Sequence, residues 1–103
     1  MKRKVYISGK ISGLDLRDAR EKFKRDEQML KAQGYEVVNP MRITGDEGMT
    51  WRECMCDCLE ALFYCDAIYM QPDWGTSKGA RVEYVVAREL DLRVVYGGGV
   101  NNA

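Results

Sequence analysis

Residues 65–87 read CDAIYMQPDWGTSKGARVEYVVA, and this stretch decides the fold. Its opening, AIYMQP, is a short apolar run with β-branched and aromatic side chains, closed as a strand by Pro72. A polar loop, DWGTSKGA, follows, and apolar residues then return at helical spacing through about Leu90. Strand, loop and helix in that order make half of a βαβ unit. The helix holds an anomaly. At about 100° per residue, Glu83 falls in the arc formed by Ala80, Tyr84, Val86, Ala87 and Leu90. Lys78, Arg81, Arg88 and Glu89 take the opposite side. An unpaired carboxylate on a buried face is costly, and burial raises its pKa. Glu83 is therefore either paired by a neighbour, open to solvent at the helix end, or used in chemistry.

The same alternation extends outward. KVYISG (4–9) is a strand ending in glycine, and LDLRDAREKFKRDEQMLKAQG (14–34) is a charged amphipathic helix. Leu16, Ala19, Phe23 and Leu30 form its inner stripe, and Gly34 stops it. YEVVNP (35–40) is a second strand, followed by the polar loop MRITGDEGMT (41–50) and the helix WRECMCDCLEALFYC (51–65). RVVYGGG (93–99) is a fourth strand before the tail VNNA. Four strands separated by three helices predict a parallel sheet with right-handed crossovers. The expectation is one α/β domain over residues 1–103. It is a small doubly wound (Rossmann/flavodoxin-like) parallel sheet of four to five strands, in order 2-1-3-4, with flanking helices. Ligands in such sheets bind outside the carboxyl ends of the strands. That points to residues 9–13, 39–42 and 72–77 and the glycines after Tyr96.

Composition narrows the function. Acids and bases balance at 16 each, which offers no case for a nucleic-acid polymer or a membrane surface as partner. No run approaches the roughly 18 apolar residues of a membrane span. MKRKVYISG has too short an apolar run for a secretory signal, so a cytoplasmic location is expected. Cys54, Cys56 and Cys58 are spaced by two, Cys65 follows, and there is no histidine. Reduced core cysteines are the plain reading, because a zinc site would need several thiols from one helix. No metal or organic cofactor is expected.

Several residues at the strand ends carry two readings. Ser77 is a natural helix N-cap. The alternative is an anion site built from free amides at the helix start, with room left by Gly79 and Ala80 and charge from Lys78. SGKISG (8–13) lacks the G-x-G-x-x-G pattern and the G-K-[ST] ending of a P-loop. Gly9 and Gly13 bracket a tight turn there, and Lys10 with the loop amides offers a phosphate cradle. Tyr6 alternates to the face opposite Val5 and Ile7, where core packing with a tied hydroxyl is expected. Trp51 and Trp74 stand in or beside the site loops. Trp74 either anchors its loop or stacks on a flat ligand such as a nucleobase.

Together, VYISGKISG, VVNP and CDAIYMQPDWGTSKGARVEYVVA resemble the nucleoside 2-deoxyribosyltransferase-like superfamily, over nearly the whole chain. The likeness is to its small phage and bacterial domains, which share a Y-I-S-G-x-I-(S/T)-G start and a C-D-A-(I/V)-Y-x-x-x-x-W-x-x-S-x-G-A-x-x-E core. The resemblance implies that Glu83 is a nucleophile. It would attack C1′ of a 2′-deoxyribosyl group and form a covalent glycosyl-enzyme, resolved by a second base or by water. Tyr6 matches the tyrosine that orients that glutamate. Ser77 matches the serine by which 2′-deoxynucleoside 5′-monophosphate N-hydrolases contact phosphate, where nucleoside transferases often carry aspartate. Gly9, Lys10, Ile11, Ser12, Gly13, Asn39, Trp74, Ser77 and Gly79 are then the expected substrate contacts.

Two positions depart from the pattern. Ser12 stands where the hydrolases have arginine, with Arg17, Arg20 and Lys10 as possible compensation. Cys58 stands at the helix position of a site aspartate that protonates or holds the base. Asp57 is rotated by about 100° from it. Asp73 is the expected catalytic replacement, and Asp66 is expected to be structural. The leading reading is an enzyme acting on a nucleoside or nucleotide. A nucleotide-binding or sensing module with the same pocket is the second, and a structural subunit the third. The resemblance also implies a homodimer or higher assembly, with Trp51 and the tail residues Asn101, Asn102 and Ala103 as contributors to a neighbour's pocket.

Overall fold

A computed structural model describes residues 2–43 and 48–98. Its elements are β1 (Lys4–Ser8), α1 (Leu16–Ala32), β2 (Glu36–Val38), α2 (Trp51–Phe63), β3 (Ala67–Met70), α3 (Lys78–Glu89) and β4 (Arg93–Tyr96). Short 3₁₀ turns at Pro40–Arg42 and Trp74–Thr76 follow β2 and β3. The sheet order is β2-β1-β3-β4 and every pairing is parallel, the topology the sequence predicts. The expected tail contacts of Asn101, Asn102 and Ala103 lie outside the described residues.

Local chemistry sets the helix ends. Asp15 caps α1 by accepting from the Arg17 and Asp18 amides, and Gly34 turns the chain away with φ of +97°. Thr50 and Glu53 form a reciprocal capping box at the start of α2. Ser77 caps α3 by accepting from the Ala80 amide.

Alternation along β1 and β3 then builds two hydrophobic layers. Tyr6, Ile68 and Met70 pack with Cys58 and Leu62 of α2 and Ala87 of α3. Val5, Ile7, Ala67 and Tyr69 pack on the other face with Phe23 and Leu30 of α1. Leu16 departs from the expected inner stripe. It is the first residue of α1, short of the sheet, and is 54% exposed. The buried polar residues of that helix, Asp26 and Glu27, lie deeper than the sequence pattern suggests.

Candidate active site

The segments leaving the carboxyl ends of β1 and β2 and the N-terminal parts of α2 and α3 enclose a cavity of about 290 Å³. Gly9, Ile11 and Ser12 form one wall, from the loop after β1. Pro40 and Met49 close a second side, and Trp51, Cys54, Met55 and Cys58 of α2 form the third. The fourth is α3, which presents Ser77, Gly79, Ala80 and Glu83. An adjoining chamber of about 390 Å³ shares Ser12, Trp51, Ser77 and Gly79 and adds Thr76 and Lys78. The Lys78 ammonium lies 4.4 Å from the Trp51 ring centre, joining the starts of α2 and α3 across this chamber.

Glu83 is the centre of the site. It is 6% exposed and lines the cavity. Its Oε2 accepts from the Tyr6 hydroxyl at 2.6 Å and its Oε1 from the Ser8 hydroxyl at 2.7 Å. Both donors come from one face of β1, because positions two apart on a strand point the same way. No lysine or arginine pairs with Glu83 among the described residues. Burial pushes its carboxyl up to about 7, while the hydrogen bonds from Tyr6 and Ser8 pull the other way without offsetting it. Burial and the charge of Glu83 hold the Tyr6 phenol well above its ordinary value, so Tyr6 remains a donor.

Ser77, Gly79, Gly9, Ile11 and Ser12 all reach the cavity wall, and Ser77 is cap and wall at once. At Gly79, an added Cβ would lie 3.2 Å from the Met55 sulfur, so the two helices meet closely there.

Other expected contacts lie elsewhere. Gly13 holds φ of +88° in the turn but does not line the cavity. Lys10 is occupied through its backbone, donating to Asp73 and accepting from Lys22. Asn39 is buried beside the site, where it donates to Glu27 and accepts from the Met41 amide, shaping the turn that presents Pro40. Trp74 stacks on Tyr84 with ring centres 4.5 Å apart, which favours its loop-anchor reading. The first glycine after Tyr96 packs against Tyr69 and the Met70 carbonyl rather than the cavity.

Asp73 requires a correction. It is not on the cavity wall. Its Oδ2 accepts from Lys22 at 2.7 Å and its Oδ1 from the Lys10 amide at 3.1 Å, so its carboxylate is committed to a loop contact. Asp57 is exposed, and Asp66 accepts from the Lys4 amide in a structural role, as expected. Cys58 does line the cavity, and burial pushes its thiol up to about 12, so it stays protonated. All four cysteines are free thiols. Among the described residues, no group of three or more His, Cys, Asp or Glu side chains converges to hold a metal ion.

Ser8 was not among the sequence candidates. Its signal was parity with Tyr6 on β1. Met55 and Cys54 also line the cavity unannounced, because an apolar helix residue reads as core until the neighbouring loop is placed, and Met49 joins them from the loop before α2.

The fold and this site define a small Rossmann-like α/β domain with a pocket centred on a carboxylate that has no cationic partner among the described residues. The chain belongs to the family described as Domain of unknown function (DUF4406), whose model matches residues 3–96. Among solved structures it is similar to the Clostridium botulinum CMP N-glycosidase BcmB. The two are 19% identical, with a TM-score of 0.62, over 91% of this chain and 67% of that one. That likeness is one of fold. Comparison with curated proteins finds no match. Among the described residues no helix is long and apolar enough to cross a membrane.

Proposed function

We propose that this protein cleaves or transfers the N-glycosidic bond of a 2′-deoxyribonucleotide or deoxynucleoside, with Glu83 as nucleophile. One observation carries the reading. Glu83 is buried at a cavity wall, held by two hydroxyl donors and paired with no cation among the described residues. A glutamate oxygen attacks C1′ as the C1′–N bond breaks, and the bonding electrons leave with the base. Water or a second base then displaces the glutamate from C1′ and restores the carboxylate. Tyr6 and Ser8 fix the carboxylate in the attacking orientation. Ser12, Ser77 and Lys78 around the outer chamber suit a 5′-phosphate. The structurally similar BcmB is a CMP N-glycosidase, and that likeness supports a nucleotide here.

The test is to incubate the protein with each deoxynucleoside 5′-monophosphate, CMP and the free nucleosides, and to measure released base by chromatography. Base release that Glu83→Ala abolishes supports the enzyme. A glycosyl adduct on the Glu83 peptide, seen by mass spectrometry, supports the covalent route.

A second reading is favoured by a specific observation. Burial pushes the Cys58 thiol up to about 12, so it stays protonated near neutral pH, and Asp73 is committed to Lys22. The leaving base therefore meets no carboxylic acid from either, which fits a nucleotide-binding or sensing module. Tight nucleotide binding without release would establish it. A homodimer belongs to both readings. Phe63 of α2 and Val85 of α3 are exposed apolar side chains suited to such a contact, and light scattering measures it.

A further inference from the structure

The β1–α1 loop forms one cavity wall, and a set of polar residues outside the cavity grips it. Lys22 and Asp26 stand one turn apart on α1, and so share a face. Gln71 and Asp73 lie two residues apart in the segment after β3. Two rungs join them. Lys22 Nζ donates to Asp73 Oδ2 at 2.7 Å, and Gln71 Nε2 donates to Asp26 Oδ2 at 2.8 Å.

The loop is held between the rungs. Lys22 Nζ also donates to the Lys10 carbonyl at 2.7 Å, and Asp73 Oδ1 accepts from the Lys10 amide at 3.1 Å. The Gln71 amide donates to the Ser8 carbonyl at 2.8 Å, and its side chain lies so close to Gly9 that a Cβ there would collide with it. Gln71 and Asp26 are buried, and the Lys22 and Asp73 side chains are 18% and 33% exposed.

The consequence is directional. Both backbone polar groups of Lys10 are turned to the clamp, while Ile11 and Ser12 face the cavity. The Ile11 and Ser12 amides make no hydrogen bond among the described residues, which leaves them for an anion. We propose that Lys22 and Asp73, backed by the Gln71–Asp26 rung, are positioning residues that set this loop for the phosphate of the substrate. This role rests on the reading of the cavity as a nucleotide site.

The clamp also sets the local charge. Lys22 and Asp73 together present a neutral pair to an incoming anion. Removing Lys22 leaves the Asp73 carboxylate beside the loop, where it repels phosphate. Replacing Asp73 leaves a cation there instead. Lys22→Met should therefore do more damage than Asp73→Asn.

Wild type, Lys22→Met, Asp73→Asn and Lys22→Arg are assayed with dCMP and deoxycytidine, and each is titrated with CMP by calorimetry. Hydrogen exchange follows the amides of residues 9–13. Lys22→Met is expected to raise KM for dCMP and Kd for CMP by about tenfold, with kcat within about threefold. Asp73→Asn should raise both by about threefold, and Lys22→Arg should stay near wild type. KM for deoxycytidine should hold, and the loop amides should exchange faster in Lys22→Met. Unchanged KM, Kd and exchange would overturn the clamp, as would equal losses for nucleotide and nucleoside. Should the wild type release no base yet bind CMP, the Kd and exchange data still decide the clamp, and only the enzyme reading fails. A wild type that neither releases base from dCMP nor binds dCMP or CMP overturns both. Asp73→Asn, nearly isosteric, carries the test if Lys22→Met does not fold.

Discussion

Two glutamates are equally hidden in this molecule and have opposite chemistry. Glu27 on α1 is 4% exposed and Glu83 on α3 is 6% exposed. Burial raises both. At Glu27, a hydrogen bond from Asn39 and the cations Lys31 and Arg42 outweigh it and bring the carboxyl down to about 2. At Glu83, burial meets only two neutral hydroxyls, and the carboxyl stays up at about 7. The partners make much of this difference, and Glu83 is also packed deeper among protein atoms, where burial weighs more. Glu27 ties α1 to the turn after β2 and is structural. Glu83 keeps an unneutralised charge against an open cavity, the condition a nucleophile requires.

The strongest way to break this contrast is to remove each carboxylate in turn. Glu83→Gln keeps the shape and deletes the proposed nucleophile, so base release should fall by at least about 10³-fold. Glu27→Gln should keep kcat within about threefold, because it touches no reacting atom. Initial-rate measurements on both variants decide it, and equal losses would erase the distinction.

Stability against pH should separate them by sign. The folded carboxyl of Glu83 lies above its ordinary value of 4.5. Its contribution is fully present below about 4.5 and is lost as pH rises through about 7. Glu83→Gln should therefore stabilise the fold at pH 8 by on the order of 3 kcal/mol, and little near pH 4. Glu27 lies below its ordinary value, so its contribution is present above about 4.5 and is lost as pH falls through about 2. Glu27→Gln should destabilise by about 2 kcal/mol at pH 7, discounted for its exposed cations. Urea unfolding of the three proteins across pH reads both signs.

The contrast also explains what was legible in the sequence. The inward turn of Glu83 was visible because helical period alone places it among Ala80, Ala87 and Leu90. The opposite facing of Tyr6 from its neighbours followed from an equally local rule, and strand–helix alternation made a parallel sheet legible, whereas no local rule fixes the order 2-1-3-4. The commitment of Asp73 is not legible in a loop sequence, because its partner Lys22 lies two strands and a helix away in the chain. Glu27 was passed over as one more charge on a polar helix, since its partners Asn39 and Arg42 arrive only when β2 docks beside β1. Period finds faces, and only tertiary closure finds partners.

A finer test changes the donors and leaves the carboxylates in place. Tyr6→Phe removes the hydrogen bond that favours ionised Glu83, so its carboxyl should rise further. The rising limb of kcat/KM against pH reports that ionisation in the free enzyme. It should lie near pH 7 in the wild type and move up by about one unit in Tyr6→Phe, with about a fivefold loss at pH 7. Ser8→Ala should move it the same way. A limb that stays in place in both variants would mean that Glu83 is not the titrating group.

The smallest effect lies at the other glutamate and asks which partner holds it low. Arg42 reaches Glu27 at 3.0 Å, but its side chain is 68% exposed, so water and salt screen the pair. Arg42→Met should cost under about 1 kcal/mol and cost less still in high salt. Asn39 is buried, and its amide donates to Glu27 while its oxygen holds the Met41 amide. Asn39→Ala strands both partners and should cost about 1–3 kcal/mol with little salt dependence. It should also loosen the turn that sets Pro40 against the cavity, raising KM for the nucleotide where Arg42→Met does not. If the two variants proved equally costly and equally salt-sensitive, Glu27 would be held by surface charge alone, and its buried hydrogen bond would lose its place in the comparison.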